Sequence, residues 1–356
     1  MSLRRYLRPT ALLRPTAPQP EQGRSILIAG RQDLAAATAE LISREGSSRD
    51  ERWLLASPEL RARAAGDRSL AALIERHEAP RPPLAGLMLD RPRLMGIVNV
   101  TPDSFSDGGA FASARAAVDH ALRLEVEGAD ILDVGGESTR PGAQPVTVEE
   151  ELGRVIPVIE GLAGRTKALI SIDTRKAEVM RRALAAGAHI INDVAALTYE
   201  PECLEVAAAS NAPVILMHAQ GDPRTMQAAP HYDDCLLDVC DWLEARIAAC
   251  EAAGIDRARL VIDPGIGFGK TLAHNLELMA GLTLLHGLGV PVMLGASRKS
   301  SIGMLSGVKK AHERVAGSIA AALHGVSQGV QILRVHDVAE TRQALSVWEA
   351  MARGSA

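Results

Sequence analysis

Three observations predict an α/β chain folded as a (β/α)8 TIM barrel with an N-terminal extension or small appended subdomain. From residue 94 onward, eight short β-rich runs alternate with helical patterns, the signature of βα units and a parallel sheet. The repeat spans about 260 residues, near the ~250 typical of such barrels. Polar residues (Asn99, Asp133, Asp173, Asn192, His218, Asp263, Arg334 and His336) sit at or near the C-terminal ends of the runs, where barrel enzymes gather their chemistry. A doubly wound open sheet is the competing fold, and this placement of polar residues favours the barrel.

The front, residues 1–90, reads differently. MSLRRYLRPTALLRPTAPQP (1–20) is Arg-rich and acid-free. Its prolines break any long amphipathic helix, so a disordered basic arm is expected rather than a transit peptide. RSILIAGRQDLAAATAELIS (24–43) reads as one strand and one helix, and 51–78 as helical, up to the Pro-rich junction EAPRPPL (78–84). The barrel then takes 91–356. Its strand runs are LMGIVNV (94–100), DILDVG (130–135), LISID (169–173), HIINDV (189–194), PVILMH (213–218), LVID (260–263), PVMLG (291–295) and VQILRVH (330–336). Helix candidates between them include 114–127, 148–162, 176–186, 233–253, 272–286 and 312–328.

Composition bounds the function. With 47% hydrophobic and 23% charged residues in 356, the chain has the makeup of a soluble globular enzyme. Aromatics are only 3%, too few for the stacking platforms of single-strand binders, so nucleic acid is not an expected partner. No run of ~18 apolar residues or apolar signal segment is present, which leaves no expected membrane partner and a cytoplasmic location. Cys203, Cys235, Cys240 and Cys250 form no C-x-x-C pair and read as reduced, partly buried thiols. Residues 1–93 hold 16 Arg against 11 Asp and Glu, leaving 23 basic and 32 acidic residues for the rest. An acidic body that binds an anion must concentrate its cations at one place.

Cations do fall after strands: Arg140 in GESTRPGA, Arg298 and Lys299 in GASRKSSIG, and Arg334 with His336 in ILRVHD. With the hydroxyls of Thr139 and Ser297 they are the donors a phosphate or diphosphate requires. One such Arg alone could pair with a surface carboxylate; three strand ends converging on one rim favour an anion. The acceptors are Asp173 in ISIDTRK, Asn192 in INDV and Asp263 in IDPGIGFGK. A carboxylate ending an apolar strand is costly to bury without partners. Two carboxylates and an amide suit a flat heterocycle bearing amino and ring N–H donors, such as a pterin; helix N-capping is the alternative for Asp173 and Asn192.

IDPGIGFGK is not a P-loop, because Pro264 stands where the first glycine is needed, nor a G-x-G-x-x-G fingerprint. Its glycines let backbone approach a flat ligand. His218 is either a packed core residue or a site residue, whereas His336 is placed to share an anion with Arg334. No clustered His/Cys set suggests zinc. A hard ion held by Asn99 and by substrate phosphates suits Mg2+. In MGIVNVTPDSFSDGG (95–109) an apolar strand ends at Asn99 and passes into a polar, turn-forming segment with a lone aromatic, Phe105, which reads as a lid on the barrel rim.

In order along about 94–353, MGIVNVTPDSFSDGG, DVGGESTRPGA, ISIDTRK, IINDV, ILMH, IDPGIGFGK, LGASRKSSIG and LRVHDV resemble the dihydropteroate synthase family. The resemblance implies that 6-hydroxymethyl-7,8-dihydropterin diphosphate binds in the barrel, its pterin gripped by Asp173, Asn192, Asp263 and Lys299 beside Met217. The diphosphate then meets Asn99, Thr139, Arg334 and His336, with Mg2+ bridging Asn99 and phosphate oxygens. The p-aminobenzoate pocket falls to Phe105, Arg140, Pro141, Phe268 and Ser297. Lys299, Arg334, His336 and Asp173 are the residues expected to carry catalysis, in a homodimer sensitive to sulfonamides. Two other readings keep the pterin. A methyltetrahydrofolate methyltransferase has no diphosphate to hold and gives no reason for Arg298, Lys299, Arg334 and His336 at one rim. A non-catalytic pterin-binding homologue would have lost motif residues or a loop.

Overall fold

A computed structural model describes residues 3–14, 25–45, 50–100, 109–138, 144–221 and 225–353 of the chain. The front forms a small α/β unit: β1 (Arg4–Leu13), β2 (Ile26–Ile28), β3 (Arg31–Arg44), β4 (Glu51–Ala56), α1 (Ser57–Ala64) and α2 (Arg68–Glu78). The long β3 is its spine. It pairs antiparallel with β1 along one side and with β2 and β4 in turn along the other. Leu7, Ile28, Leu34, Leu60, Leu70 and Ile74 close a core of its own.

Three expectations for this region are corrected. Residues 4–13 are an edge strand rather than a disordered arm, with Pro9 tolerated because an edge strand can spare a donor. The stretch read as a helix after Gly30 is β3, and residues 51–56, also read as helical, are β4. AAATAELIS has good helix formers, but its backbone is claimed on both sides by strands, and tertiary pairing overrides a weak local preference.

All eight expected barrel strands are present. They are β5 (Arg93–Asn99), β6 (Ile131–Gly135), β7 (Leu169–Asp173), β8 (Ile190–Asp193), β9 (Val214–Met217), β10 (Leu260–Asp263), β11 (Met293–Leu294) and β12 (Ile332–Val335). β7 and β10 have the expected bounds, β5 is shifted by one residue and the other five are trimmed. The strands pair in parallel from β5 to β10, β12 joins β5 to β11, and a parallel bridge from Ile262 to Val292 closes the ring. The covering helices are α3 (Gly109–Val126), α4 (Val148–Leu162), α5 (Ala177–Ala186), α6 (Pro201–Ala209), α7 (Cys235–Ala252), α8 (Leu272–Ala280), α9 (Leu282–Leu285), α10 (Ser300–Ser306), α11 (Val315–Ser327) and α12 (Val338–Arg353). The helix expected over 272–286 breaks at Gly281, where a Cβ would lie 2.2 Å from Leu236.

The period of two along each strand sets the position of the site. Met95, Ile131, Ile190, Ile215, Val261, Met293 and Ile332 point inward and, with Leu84 and Leu89, fill the barrel floor. The residues between them, such as Leu132, Ile191, Leu216 and Leu333, face the helices. Two positions beyond the floor, the inward residues become Ile97, Asp133, Asn192, Met217, Asp263, Gly295 and Arg334. Polarity thus begins one layer above an apolar plug.

Candidate active site

Asp133 is fully buried, and its Oδ2 accepts from Arg334 Nε at 2.6 Å and from Asn192 Nδ2 at 3.1 Å. The Arg334 guanidinium reaches on to Asp173, donating from Nη2 to Oδ2 at 2.6 Å. One cation therefore bridges two carboxylates. Burial works against the Arg334 charge, but Asp133 and Asp173 outweigh it, so the guanidinium stays charged. Asp173 is raised by burial, against the pull of Arg334 and with Asp133 adding to the rise. The ladder places Asn99 opposite Gly135, Gly135 opposite Asp173, and Asp173 opposite Asn192, so the expected metal residue and two of the three acceptors share one register row. Neither Asp173 nor Asn192 caps a helix: the N-cap of α5 is Lys176 and that of α6 is Glu200.

Across the barrel, buried Asp263 accepts from Gly265 N at 2.7 Å, and its carboxyl is raised by burial, partly offset by that N–H and by Lys299. Lys299 Nζ lies 4.0 Å from the centre of the Phe268 ring, a cation–π contact. Gly267, at φ +83, runs beside Lys299, where a Cβ would make an ordinary 3.4 Å contact with Lys299 Cδ. Phe268 also lines a cleft with Met226, Trp242 and Tyr199. Met217 is buried and is the direct register partner of Asp263.

Ser297 Oγ lies 3.0 Å from His336 Nδ1 and accepts from His336 N at 3.2 Å, so the two residues orient each other at the rim. Arg298 departs from expectation. Its guanidinium is engaged by Asp337, with Nε 3.0 Å from Oδ2, and its backbone is left-handed at φ +58, which turns it away from its neighbour Lys299. Arg298 is therefore a structural anchor and not a member of the anion rim.

His218 packs edge-on against Trp242 at 4.9 Å, with Nδ1 2.8 Å from buried Lys270 Nζ. Burial, then Lys270, pushes the imidazole down to about 3; burial pushes Lys270 down to about 7. Lys270 also donates to Phe268 O at 3.0 Å and to His218 O at 3.3 Å, and the His218 contacts tie the IDPGIGFGK loop to the end of β9. Phe105, Thr139, Arg140 and Pro141 lie outside the described residues. Among the described residues no three His, Cys, Asp or Glu side chains group to hold a metal.

The residue that sequence reasoning undervalued is Asp133, placed at a strand end but given no role. Inward parity with Ile131, two residues earlier, was the available signal. Ser171 Oγ and Asp133 Oδ1 are both buried, on register-paired residues, and find no partner among the described residues. They are open hydrogen-bonding capacity inside the barrel.

The Pterin binding enzyme family profile matches residues 95–336. Dihydropteroate synthase of Escherichia coli (strain K12) is 53% identical over 264 residues, covering 74% of this chain and 93% of that protein. The chain belongs to the dihydropteroate synthase family. A solved dihydropteroate synthase from Xanthomonas albilineans with 4-aminobenzoic acid superimposes at a TM-score of 0.72 with 58% identity, covering 76% of this chain and 98% of that one. The same organism's dihydropteroate synthase in complex with 7,8-dihydropteroate gives a TM-score of 0.69 and 55% identity, with the same coverage of 76% and 98%. The family match starts at Met95, in β5, so the whole N-terminal unit precedes the dihydropteroate synthase core.

Proposed function

We propose that the barrel condenses 6-hydroxymethyl-7,8-dihydropterin diphosphate with p-aminobenzoate, releasing diphosphate and 7,8-dihydropteroate. The observation that carries this reading is the polar layer above the apolar plug: Asp173, Asn192 and Asp263 as acceptors, crossed by the Arg334 bridge. The acceptors suit the amino and ring N–H groups of a pterin. Lys299, stacked on Phe268, holds the pterin edge, and Phe268 with Ser297 receives the arylamine.

The chemistry asks little of the protein as a nucleophile. The arylamine nitrogen attacks the methylene carbon, the C–O bond breaks with its electron pair going to diphosphate, and the amine nitrogen loses a proton. The barrel supplies leaving-group stabilisation and dry surroundings. Arg334 uses Nε and Nη2 on its carboxylates, which leaves Nη1 for the diphosphate, and His336, oriented by Ser297, completes the anion rim. Asn99 alone cannot form an all-protein metal site; one amide oxygen fits Mg2+ carried in by the diphosphate, which would neutralise leaving-group charge. We also read the chain as a cytoplasmic homodimer. Four free, buried cysteines suit a reducing compartment, and the exposed apolar groove of Ile319, Leu323, Val347 and Met351 between α11 and α12 suits a second copy. No helix among the described residues is long and apolar enough to cross a membrane.

The test is to mix the protein with the dihydropterin diphosphate, p-aminobenzoate and Mg2+ and follow both products, with a sulfonamide competing against p-aminobenzoate. Turnover is expected. Intact pterin binding without turnover overturns the reading. Lys299→Ala is expected to weaken calorimetric pterin binding about 10- to 100-fold, as for one lost charged contact; unchanged affinity would remove Lys299 from the pterin site.

A further inference from the structure

The N-terminal unit carries the chain's basic excess, and α7 carries an acidic stripe. Asp234, Asp238, Asp241 and Glu244 recur at three- and four-residue spacing, which places them on one face running from the N-cap up the helix. That face is covered. Arg52 Nη2 lies 2.5 Å from Asp234 Oδ2, Arg44 Nη1 2.7 Å from Asp238 Oδ1, and Arg4 Nε 2.8 Å from Asp241 Oδ1, with Arg4 also on Glu244. Tyr6 Oη donates to Asp241 at 2.7 Å, and Tyr6 and Ile42 join the barrel's main apolar core. At a second point, Thr283 Oγ1 donates to Pro9 O at 2.8 Å, a buried bond. The unit is docked through apolar, hydrogen-bonded and ionic contacts together.

The contacts continue toward the site. Asp234 is the N-cap of α7, its Oδ1 accepting from Leu237 N at 2.9 Å while Oδ2 takes Arg52. Two residues earlier, Tyr232 Oη donates to Gly269 O at 2.9 Å, its ring edge-on to His274. Gln227 Nε2 donates to Gly267 O at 2.6 Å. The segment 225–234 thus holds the loop that presents Phe268 beneath Lys299.

We propose that the N-terminal unit is a built-in brace: docked on the acidic face of α7, it positions the 264–270 loop of the active site through Asp234 and Tyr232. Arg52 and Tyr232 are positioning residues, acting through Phe268. The kinetic consequence rests on the proposed reaction; the structural consequence does not.

The experiment uses the full chain and two variants: Arg44→Glu with Arg52→Glu, which reverses the ionic contacts, and Tyr232→Phe, which removes only the last link. Hydrogen exchange over 225–234 and 264–270 is expected to accelerate in both. The KM for p-aminobenzoate should rise about five-fold with kcat changed less than two-fold, a split that general destabilisation does not produce. Unchanged exchange in the charge-reversed chain overturns the brace, as does faster exchange with an unchanged KM. If the double variant does not fold, Arg52→Gln, which removes the contact from the N-terminal unit to Asp234, decides by the same two readings. A wild-type chain without turnover would overturn the proposed reaction, and exchange alone would then decide the brace.

Discussion

Asp133 accepts from both Arg334 and Asn192 while fully enclosed, so it organises residues from three strands. Removing one partner of a buried ion pair typically costs about 3–5 kcal/mol, because the remaining charge stays desolvated. Asp133→Ala is therefore expected to lower the urea unfolding free energy by about that amount, and kcat/KM by about 100-fold as Arg334 loses its orientation. Denaturation and steady-state kinetics on the same preparation check both; a stable, active variant would return Asp133 to a packing role. Asp173, Asn192, Asp263, Lys299 and Arg334 were legible as residue types at strand ends. That Arg298 turns to Asp337 while Lys299 stacks on Phe268 was not, since neighbours in sequence diverge through one left-handed backbone angle.

At the scale of elements, the barrel strands were readable because a buried parallel strand needs a short apolar run and leaves its polar residues at one end. β3 was not, since AAATAELIS is rich in good helix formers and only its pairing with β1 on one side and β2 and β4 on the other overrides that preference. The IDPGIGFGK loop shows how close packing fixes sequence. Gly265 stands at φ +68, and a Cβ there would lie 1.8 Å from His218 O, a backbone atom that cannot swing away. Gly265→Ala combines left-handed strain with overpacking, and about 3 kcal/mol or more should be lost from stability. Thermal unfolding measures the cost, and pterin calorimetry should show binding lost because Asp263 accepts from the same residue. A variant with wild-type melting and affinity would mean the loop can relax away from β9.

For the whole molecule, the charge asymmetry read from the sequence proves to be complementarity within one chain: an Arg-rich unit seated on an acidic helix. The junction also buries two histidines. His286, whose Nε2 meets Gln328 O at 2.9 Å, is pushed down to about 3 by burial and then Arg81; His77 is held well below its usual range by burial, then His286 and Arg81. The unfolded imidazole binds its proton near 6.5, and the folded one only near 3. Stability from keeping it neutral is complete above about 6.5 and is lost as pH falls from there toward 3. At pH 5 the loss for His286 is about 2 kcal/mol. His286→Gln, which keeps a donor for Gln328 O, should flatten the fall in the urea midpoint between pH 7 and pH 5; an equally steep fall would place the acid sensitivity elsewhere.

The chain's own order of residues determined the barrel, its eight strands, the polar ends that form the site and the dihydropteroate synthase motifs, because each depends on short-range periodicity and on residue chemistry at fixed offsets. Tertiary structure alone decided which carboxylates share Arg334, that β3 is a strand, and that the basic front docks on α7. These depend on groups distant in sequence meeting in a low-dielectric interior, where pairing energies exceed local preference.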